Sequence, residues 1–382
     1  MDRANQPQAG AARRTARETP RLRLAPNLYI AQTQPGFETV IASEIAARVP
    51  GSREIARRVV PERAGLTIFA AARPEPLAKL RTAEDIFSLV GYRGGLPPAS
   101  ATLDRIRAAV REAPFVAEAL QARVRFTPGV RAGKRLRFRV IARVAGEHEF
   151  RRVDMQRAVE RGMLDRADHT WRLDESQADL EFWATLIGDE FILAVRLSDE
   201  RLRHREYKIA HRPGSLRPAV AAALAWLSDP RPDDIVLDPF CGAATIPIER
   251  AQFGPYRLLI ASDRDPSALE AARANIGPRY KPIQIERWDA GAIPLPDVSV
   301  TRIITNLPWG ERFSSHAENR KLYPRWIAEF NRLIANDGRI VILTAEWRIM
   351  NQLIDRGEVA PMSIMRVTIL GSPATVYVCR KP

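Results

Sequence analysis

Asn306-Leu307-Pro308-Trp309-Gly310 joins a carboxamide, a rigid proline and an aromatic ring. It follows a short apolar run, Arg302-Ile303-Ile304-Thr305, that reads as a buried strand. A second cluster, Asp238-Pro239-Phe240-Cys241-Gly242, lies 68 residues upstream and follows Ile235-Val236-Leu237. Asn306 Oδ1 and the Leu307 carbonyl can each accept one N–H of a planar exocyclic amine. The amine nitrogen then turns toward sp3 and aims its lone pair at an electrophile. Pro308 fixes the backbone, and Trp309 can stack on the base that carries the amine. Catalysis of this kind is mainly positioning with polarising hydrogen bonds. Taken singly, Asn306 reads as a strand-end turn former and Trp309 as core. The combination points to chemistry.

These residues need an α/β frame. Strand-like runs recur at 235–238, 257–262, 283–287, 301–305 and 339–344, with helix-like runs at 244–253, 266–276, 319–335 and 347–354. Such alternation predicts a mostly parallel, doubly wound sheet. Two further runs, 363–370 and 374–380, flank Gly371-Ser372-Pro373 and predict an antiparallel hairpin at the sheet edge. Ligands of open α/β sheets bind beyond the strands' carboxyl ends, where the candidates fall. Asp238 ends the first strand and Gly242 allows close backbone approach. Asp263, 21 residues after Gly242, ends the second and can hold ribose hydroxyls. Asp289 ends the third, beside a purine. Asp265, just before Pro266, reads as a helix cap. An acid about 20 residues after a glycine loop also belongs to the dinucleotide fingerprint. That fingerprint needs several glycines, whereas Cys241 to Pro247 holds one. A cofactor without a pyrophosphate, S-adenosyl-L-methionine, suits the loop better. Cys241 reads as a packed residue of this loop.

At 382 residues, with 46 % hydrophobic residues, the chain fits two or three domains with proper cores. No apolar run is long enough for a transmembrane helix. The two cysteines and five histidines show no metal spacing, so no metal and a reducing, cytoplasmic setting are expected. The net charge of +14 is uneven. Residues 1–212 carry 38 Lys+Arg against 27 Asp+Glu, a net of +11, and residues 213–382 carry 21 against 18, a net of +3. A basic N-terminal half fits a polyanionic partner. Residues 1–26 read as a disordered basic tail, with a mitochondrial presequence as the rival reading. A first unit starts with a strand at Leu28-Tyr29-Ile30-Ala31 and a helix from Phe37 to Ala47. Mixed strand and helix character follows over Leu66 to Ala71 and Leu77 to Val90. Gly94-Gly95-Leu96-Pro97-Pro98 marks a boundary. A second unit has a helix from Leu103 to Arg111 and strands over 135–142, 178–186 and 191–197. The connector beyond holds Arg201, Arg203, Arg205, Lys208 and Arg212, which read either as RNA-tracking residues or as a solvated linker.

The chain resembles the THUMP-domain-containing class I RNA methyltransferases over about residues 27–382. The likeness rests on Gln34-Pro35-Gly36-Phe37-Glu38, Pro213-Gly214-Ser215-Leu216-Arg217-Pro218, Asp238 to Thr245, and Asn306 to Gly310. It implies an N-terminal ferredoxin-like domain over 27–98, a THUMP domain over 99–197 and a linker over 198–214. A Rossmann-like methyltransferase domain with a mixed seven-stranded sheet would cover 215–382. It implies S-adenosyl-L-methionine held by Gly214, Ser215, Leu216, Asp238, Cys241, Gly242, Thr245, Asp263, Arg264, Asp289 and Ala290. Catalysis would fall to Asn306, Leu307, Pro308 and Trp309, acting in a monomer on guanine N2 of tRNA, as in the enzymes of position 6. Adenine N6, ribosomal RNA, and RNA binding without catalysis are the alternatives. Where the family loop reads Gly-Ser-Gly-Thr, this chain has Gly242-Ala243-Ala244-Thr245. A positive φ at Ala244 would cost on the order of 1 kcal/mol relative to glycine.

Overall fold

The computed structural model describes residues 21–127, 133, 135–280, 282–310 and 315–382. Of the tail expected over 1–26, residues 1–20 lie outside the described residues. The N-terminal half is built on one sheet. Its strands are β1 (Leu28–Thr33), β2 (Arg53–Val60), β3 (Ala64–Ala70), β4 (Asp85–Arg93), β5 (Arg135–Ala145), β6 (Thr170–Leu173), β7 (Leu180–Ile187) and β8 (Glu190–Arg196). They are ordered β2-β3-β1-β4-β8-β7-β5-β6. The helices are α1 (Glu38–Arg48), α2 (Thr102–Arg111), α3 (Val116–Phe126) and α4 (Arg152–Leu164). The first four strands have ferredoxin-like order. Their second crossover is only a turn of 3-10 helix, Glu75–Lys79. The pattern over Leu77 to Val90 therefore resolves into that turn and β4, with little helix. Gly94 to Pro98 interrupts regular structure but not the sheet, because β4 pairs with β8, Phe87 opposite Arg196. In β5, Leu136, Phe138, Val140 and Ala142 enter the core with Ile106, Val110, Met155 and Val159. The arginines between them take the opposite face, as a period of two requires. Strand β2 escaped the sequence reading because Arg53–Val60 is an edge strand, mostly solvated and charged.

The C-terminal half comprises α5 (Glu200–Arg203), α6 (Pro218–Leu227), β9 (Ile235–Asp238), α7 (Thr245–Ala251), β10 (Leu258–Ser262), α8 (Pro266–Ile276), β11 (Ile283–Glu286), β12 (Val300–Asn306), α9 (His316–Leu333), β13 (Ile334–Thr344), α10 (Trp347–Asp355), β14 (Ala360–Ile369) and β15 (Ser372–Arg380). The order β11-β10-β9-β12-β13-β15-β14 is parallel from β11 to β13 and closes with antiparallel β15 and β14. This is the mixed seven-stranded sheet expected. Strand order reverses between β9 and β12, so the carboxyl ends of β9 and β12 flank the switch point where such sheets bind ligands. Among the described residues no helix is long and apolar enough to cross a membrane.

Several polar contacts fix the halves together, among them Arg217 with Glu84 (2.9 Å) and Trp226 Nε1 with Ser43 Oγ (2.7 Å), and two joints are more extensive. At the first, Glu249 of α7 is fully buried. It accepts from Arg81 Nε (2.7 Å) and Nη2 (3.0 Å) and from the Tyr207 hydroxyl (2.7 Å), with Arg205 Nε at 3.6 Å. At the second, Gln34-Pro35-Gly36 docks on β14. The Pro35 carbonyl accepts from Thr368 N–H (3.0 Å), and Gln34 Oε1 accepts from Leu370 N–H (3.0 Å). Gly36 has φ +96°, and a Cβ there would overlap the Arg366 carbonyl oxygen. Phe37 then enters the core of the C-terminal half beside Leu216 and Val220. Removing one partner of a buried ion pair leaves the other charge uncompensated. Arg81→Met should therefore lower unfolding free energy by about 3 kcal/mol, with Arg81→Lys intermediate because it keeps the charge and loses the bidentate fork. Urea denaturation checks this order.

Candidate active site

Asn306 is the last residue of β12 and pairs in register with Leu343 of β13. Ile303 pairs with Leu237, which sets Asp238 two residues short of Asn306 along the neighbouring strand. The loop after Asn306 is held by buried polar groups. The Pro308 carbonyl accepts from the Tyr323 hydroxyl (2.7 Å) and from Asn319 Nδ2 (3.1 Å). Tyr323 also meets Thr344 Oγ1 at 2.6 Å, and burial pushes its phenol pKa up. Asn319 Nδ2 reaches Glu346 Oε1 (2.8 Å), which also binds His316 Nδ1 (2.7 Å). Gly310 has φ +77°, and a Cβ there would lie 2.5 Å from Glu346 Oε1, so the turn admits only glycine. The Leu307 carbonyl has no donor among the described residues, whereas Leu307 N–H bonds the Leu343 carbonyl (3.0 Å). Asn306 Oδ1 accepts from Trp309 Nε1 (3.0 Å). This bond orients the carboxamide and leaves one lone pair of the oxygen for a second donor. Trp309 is half-buried against the core that includes Leu216 and Ile304.

Asn319, Tyr323 and Glu346 were not singled out from the sequence. One signal was present. On α9 the buried positions are 319, 323, 326, 327, 330 and 333, a helical stripe, and an asparagine opening an otherwise apolar or aromatic stripe must bond something inside.

The upstream cluster lies at the ends of β9 and β10. Asp238 is buried, with Oδ1 accepting from Phe240 N–H (3.2 Å). Its Oδ2 and the hydroxyls of Ser262 and Thr305 have no hydrogen-bond partner. All three atoms sit at or one residue before the carboxyl ends of adjacent strands, which fits a ligand carrying cationic and donor groups. Burial pushes the Asp238 carboxyl up to about 8, against the pull of the Phe240 N–H. Asp263 accepts from Gly242 N–H (3.0 Å) and Asp265 N–H (3.0 Å), so it ties the glycine loop to the end of β10. Asp265 caps α8 through Ser267 N–H (2.9 Å), followed by Pro266, as its sequence signature predicts. Gly242 has φ +51° with open space at its Cβ position. Ala244 has φ +59°, the strained conformation anticipated. Its methyl is fully buried among Tyr207, Ile248 and Leu269. Burying one methyl contributes about 0.8 kcal/mol, which offsets most of the backbone strain. Thr245 opens α7, and its hydroxyl lies 3.4 Å from that of Ser215. Gly214 has φ +74°. Cys241 is packed, with its thiol pushed well up by burial.

Other candidates are committed elsewhere. Asp289 pairs with Arg325 (2.7 Å) and takes the Gly291 N–H (2.9 Å) in its own turn. Ala290 is core, and Arg264 is exposed. Of the connector's five cations, Arg203 pairs with buried Asp85 and Arg205 with Glu249. Arg212 pairs with Asp265 (2.6 Å). Lys208 Nζ donates to the Leu216 carbonyl (2.5 Å), and burial lowers its pKa to about 8. Only Arg201, with 78 % of its side chain exposed, stays in solvent. The connector is thus a fastener first, because buried Asp85 and Glu249 require cations.

The topology and the polar strand ends define an S-adenosylmethionine-type class I methyltransferase fold. Residues 205–373 match the family described as "RMKL-like, methyltransferase domain". The chain is 31 % identical over 263 residues to the mouse protein named tRNA (guanine(6)-N(2))-methyltransferase THUMP3, covering 64 % of this chain and 51 % of that one. It is 34 % identical over 222 residues to the Thermus thermophilus tRNA (guanine(6)-N2)-methyltransferase, covering 58 % and 65 %. The chain thus spans about half the length of the mouse relative. The crystal structure of TrmN from Thermus thermophilus superposes with a TM-score of 0.74 at 27 % identity, covering 93 % of this chain and 99 % of that one.

Asp238 gives the domain a pH signature. Its carboxyl keeps its proton to about pH 8 in the folded chain and loses it near pH 4 when unfolded. Between those values the folded state binds more protons, so stability falls as pH rises through the window and levels off above it. Asp238→Asn should flatten that slope in melting curves taken across the range. A variant as steep as the parent would remove Asp238 as its source.

Proposed function

We propose that the chain transfers a methyl group from S-adenosyl-L-methionine to the N2 of a guanine in tRNA, giving N2-methylguanosine at position 6. The observation that carries this reading is the Asn306–Gly310 loop, clamped by Asn319 and Tyr323 beside a loop with one glycine and an acidic strand end at Asp263. Asp263, with Asp238 beneath the loop, would hold the cofactor, and Gly214 to Leu216 with Thr245 would flank it. The cofactor supplies an electrophilic methyl on a good leaving group, so no strong base is needed before attack. Asn306 Oδ1 and the Leu307 carbonyl accept the two N–H bonds of the amine and direct its lone pair. Tyr323 and Asn319 keep the Pro308 carbonyl fixed, so Leu307 cannot turn away. The names of the mouse and Thermus relatives favour guanine N2 and position 6 over adenine N6.

The N-terminal half would grip the acceptor stem through phosphates and shape, as A-form RNA demands. We assign residues 27–98 to the ferredoxin-like domain, 99–197 to the THUMP domain, 198–214 to the linker and 215–382 to the catalytic domain. The protein would act on cytoplasmic tRNA as a monomer. The target guanine pairs through N2, so it must leave the helix to reach Asn306. The two joints would make the distance from the held stem to Asn306 a constant that selects the nucleotide.

Asn306→Ala should cut methyl transfer to unmodified tRNA by roughly a thousandfold, comparable to loss of an oxyanion donor. Its cofactor dissociation constant should stay within a few-fold in calorimetry. A variant with half the parental rate would take Asn306 out of the mechanism. Nucleoside analysis of the product tests the base, since N6-methyladenosine would overturn the guanine assignment. Asp263→Ala should weaken cofactor binding at least tenfold, about 1.4 kcal/mol or more; unchanged affinity would refute its ribose role.

A further inference from the structure

The carboxyl edge of the catalytic sheet carries exposed cations that make no ion pair among the described residues. Arg264 follows β10, Arg320 and Lys321 lie in the second turn of α9, and Arg348 lies in the first turn of α10. All four are exposed, and none makes an ion pair among the described residues. The connector's arginines are mostly consumed by buried carboxylates, whereas these four cations follow the carboxyl ends of β10, β12 and β13, the edge that carries Asn306. Trp347 opens α10 at the same edge with 48 % of its surface exposed, unusual for a tryptophan. The Arg348 guanidinium lies 4.8 Å from the centre of its ring. Trp347 directly follows Glu346, whose carboxylate binds Asn319 and His316 and abuts Gly310. The ring is therefore anchored to the same frame that fixes the amine-holding loop.

We propose that Trp347 and Arg348 form a second RNA contact of the active-site mouth. Trp347 stacks on the nucleotide next to the extruded guanine, and Arg348, with Arg264, Arg320 and Lys321, meets the flanking phosphates. Extruding a base leaves its neighbour with an uncovered face, and an indole backed by a guanidinium suits such a face. The occupant is RNA because the patch pairs an aromatic surface with uncompensated positive charge. Trp347 is here a positioning residue, and the proposal rests on the tRNA-methylation reading above.

The test compares Trp347→Ala, Trp347→Tyr and Arg348→Gln with the parent chain, using unmodified transfer RNA. Stacking of one base implies a loss of roughly tenfold in RNA affinity for Trp347→Ala, read by filter binding, with a matching rise in KM and kcat within a few-fold. Trp347→Tyr should recover most of it. Arg348→Gln should reduce the slope of log affinity against log salt by about one phosphate contact. Cofactor affinity and melting temperature should match the parent in all three. Parental RNA affinity in Trp347→Ala overturns the proposal, and so does an equal loss of cofactor affinity, which marks a purely structural role. A parent chain that binds RNA without methylating it refutes the proposed reaction alone, and RNA binding by the variants still decides this contact.

Discussion

The molecule depends on one buried carboxylate. Glu249 has no access to water, and an isolated charge there would cost several kcal/mol. Its compensation comes from two places in the chain: Arg81 between β3 and β4, and Arg205 and Tyr207 in the connector. Helix α7 starts at Thr245, directly after the glycine loop. The charge that helps hold the N-terminal half in place therefore sits on the helix that follows the glycine loop. Arg205 adds a second link by donating to the Arg81 carbonyl at 2.9 Å.

The same logic of satisfied burial governs the reactive loop. Pro308 presents its carbonyl to two donors from α9, and those donors are tied to the end of β13 through Thr344 and Glu346. The loop is thereby tied through its Pro308 carbonyl to two elements at once, α9 and β13. The Trp309 indole gives Asn306 a fixed amide orientation, so its remaining lone pair points one way. Tryptophan thus serves the amide directly as well as offering a surface. The positive φ of Ala244 is the strain at the site among the described residues, and packing of its methyl offsets most of it.

Much of this was legible in the sequence, for physical reasons. Parallel strands buried on both faces write unbroken apolar runs, and β9, β10, β12 and β13 were placed from such runs. Asp265-Pro266 wrote its own helix start. Alternation exposed β7. What failed was local. Strand β2 lies at an edge and needs no apolar face. The turn at Glu75–Lys79 was not separated from β4. The connector's arginines read as free charge because a sequence does not say which carboxylates are buried.

The sequence by itself determined the order of elements and the residue types at the strand ends, because periodicity and cap chemistry are local. Tertiary structure alone decided which charges are spent and which are free. Asp85, Glu249 and Asp265 capture Arg203, Arg205 and Arg212 across 118, 44 and 53 residues of chain. Arg264, Arg320, Lys321 and Arg348 find no such partner among the described residues. Pairing is a property of distance and burial, and both arise only when the sheet and the two joints bring remote segments together.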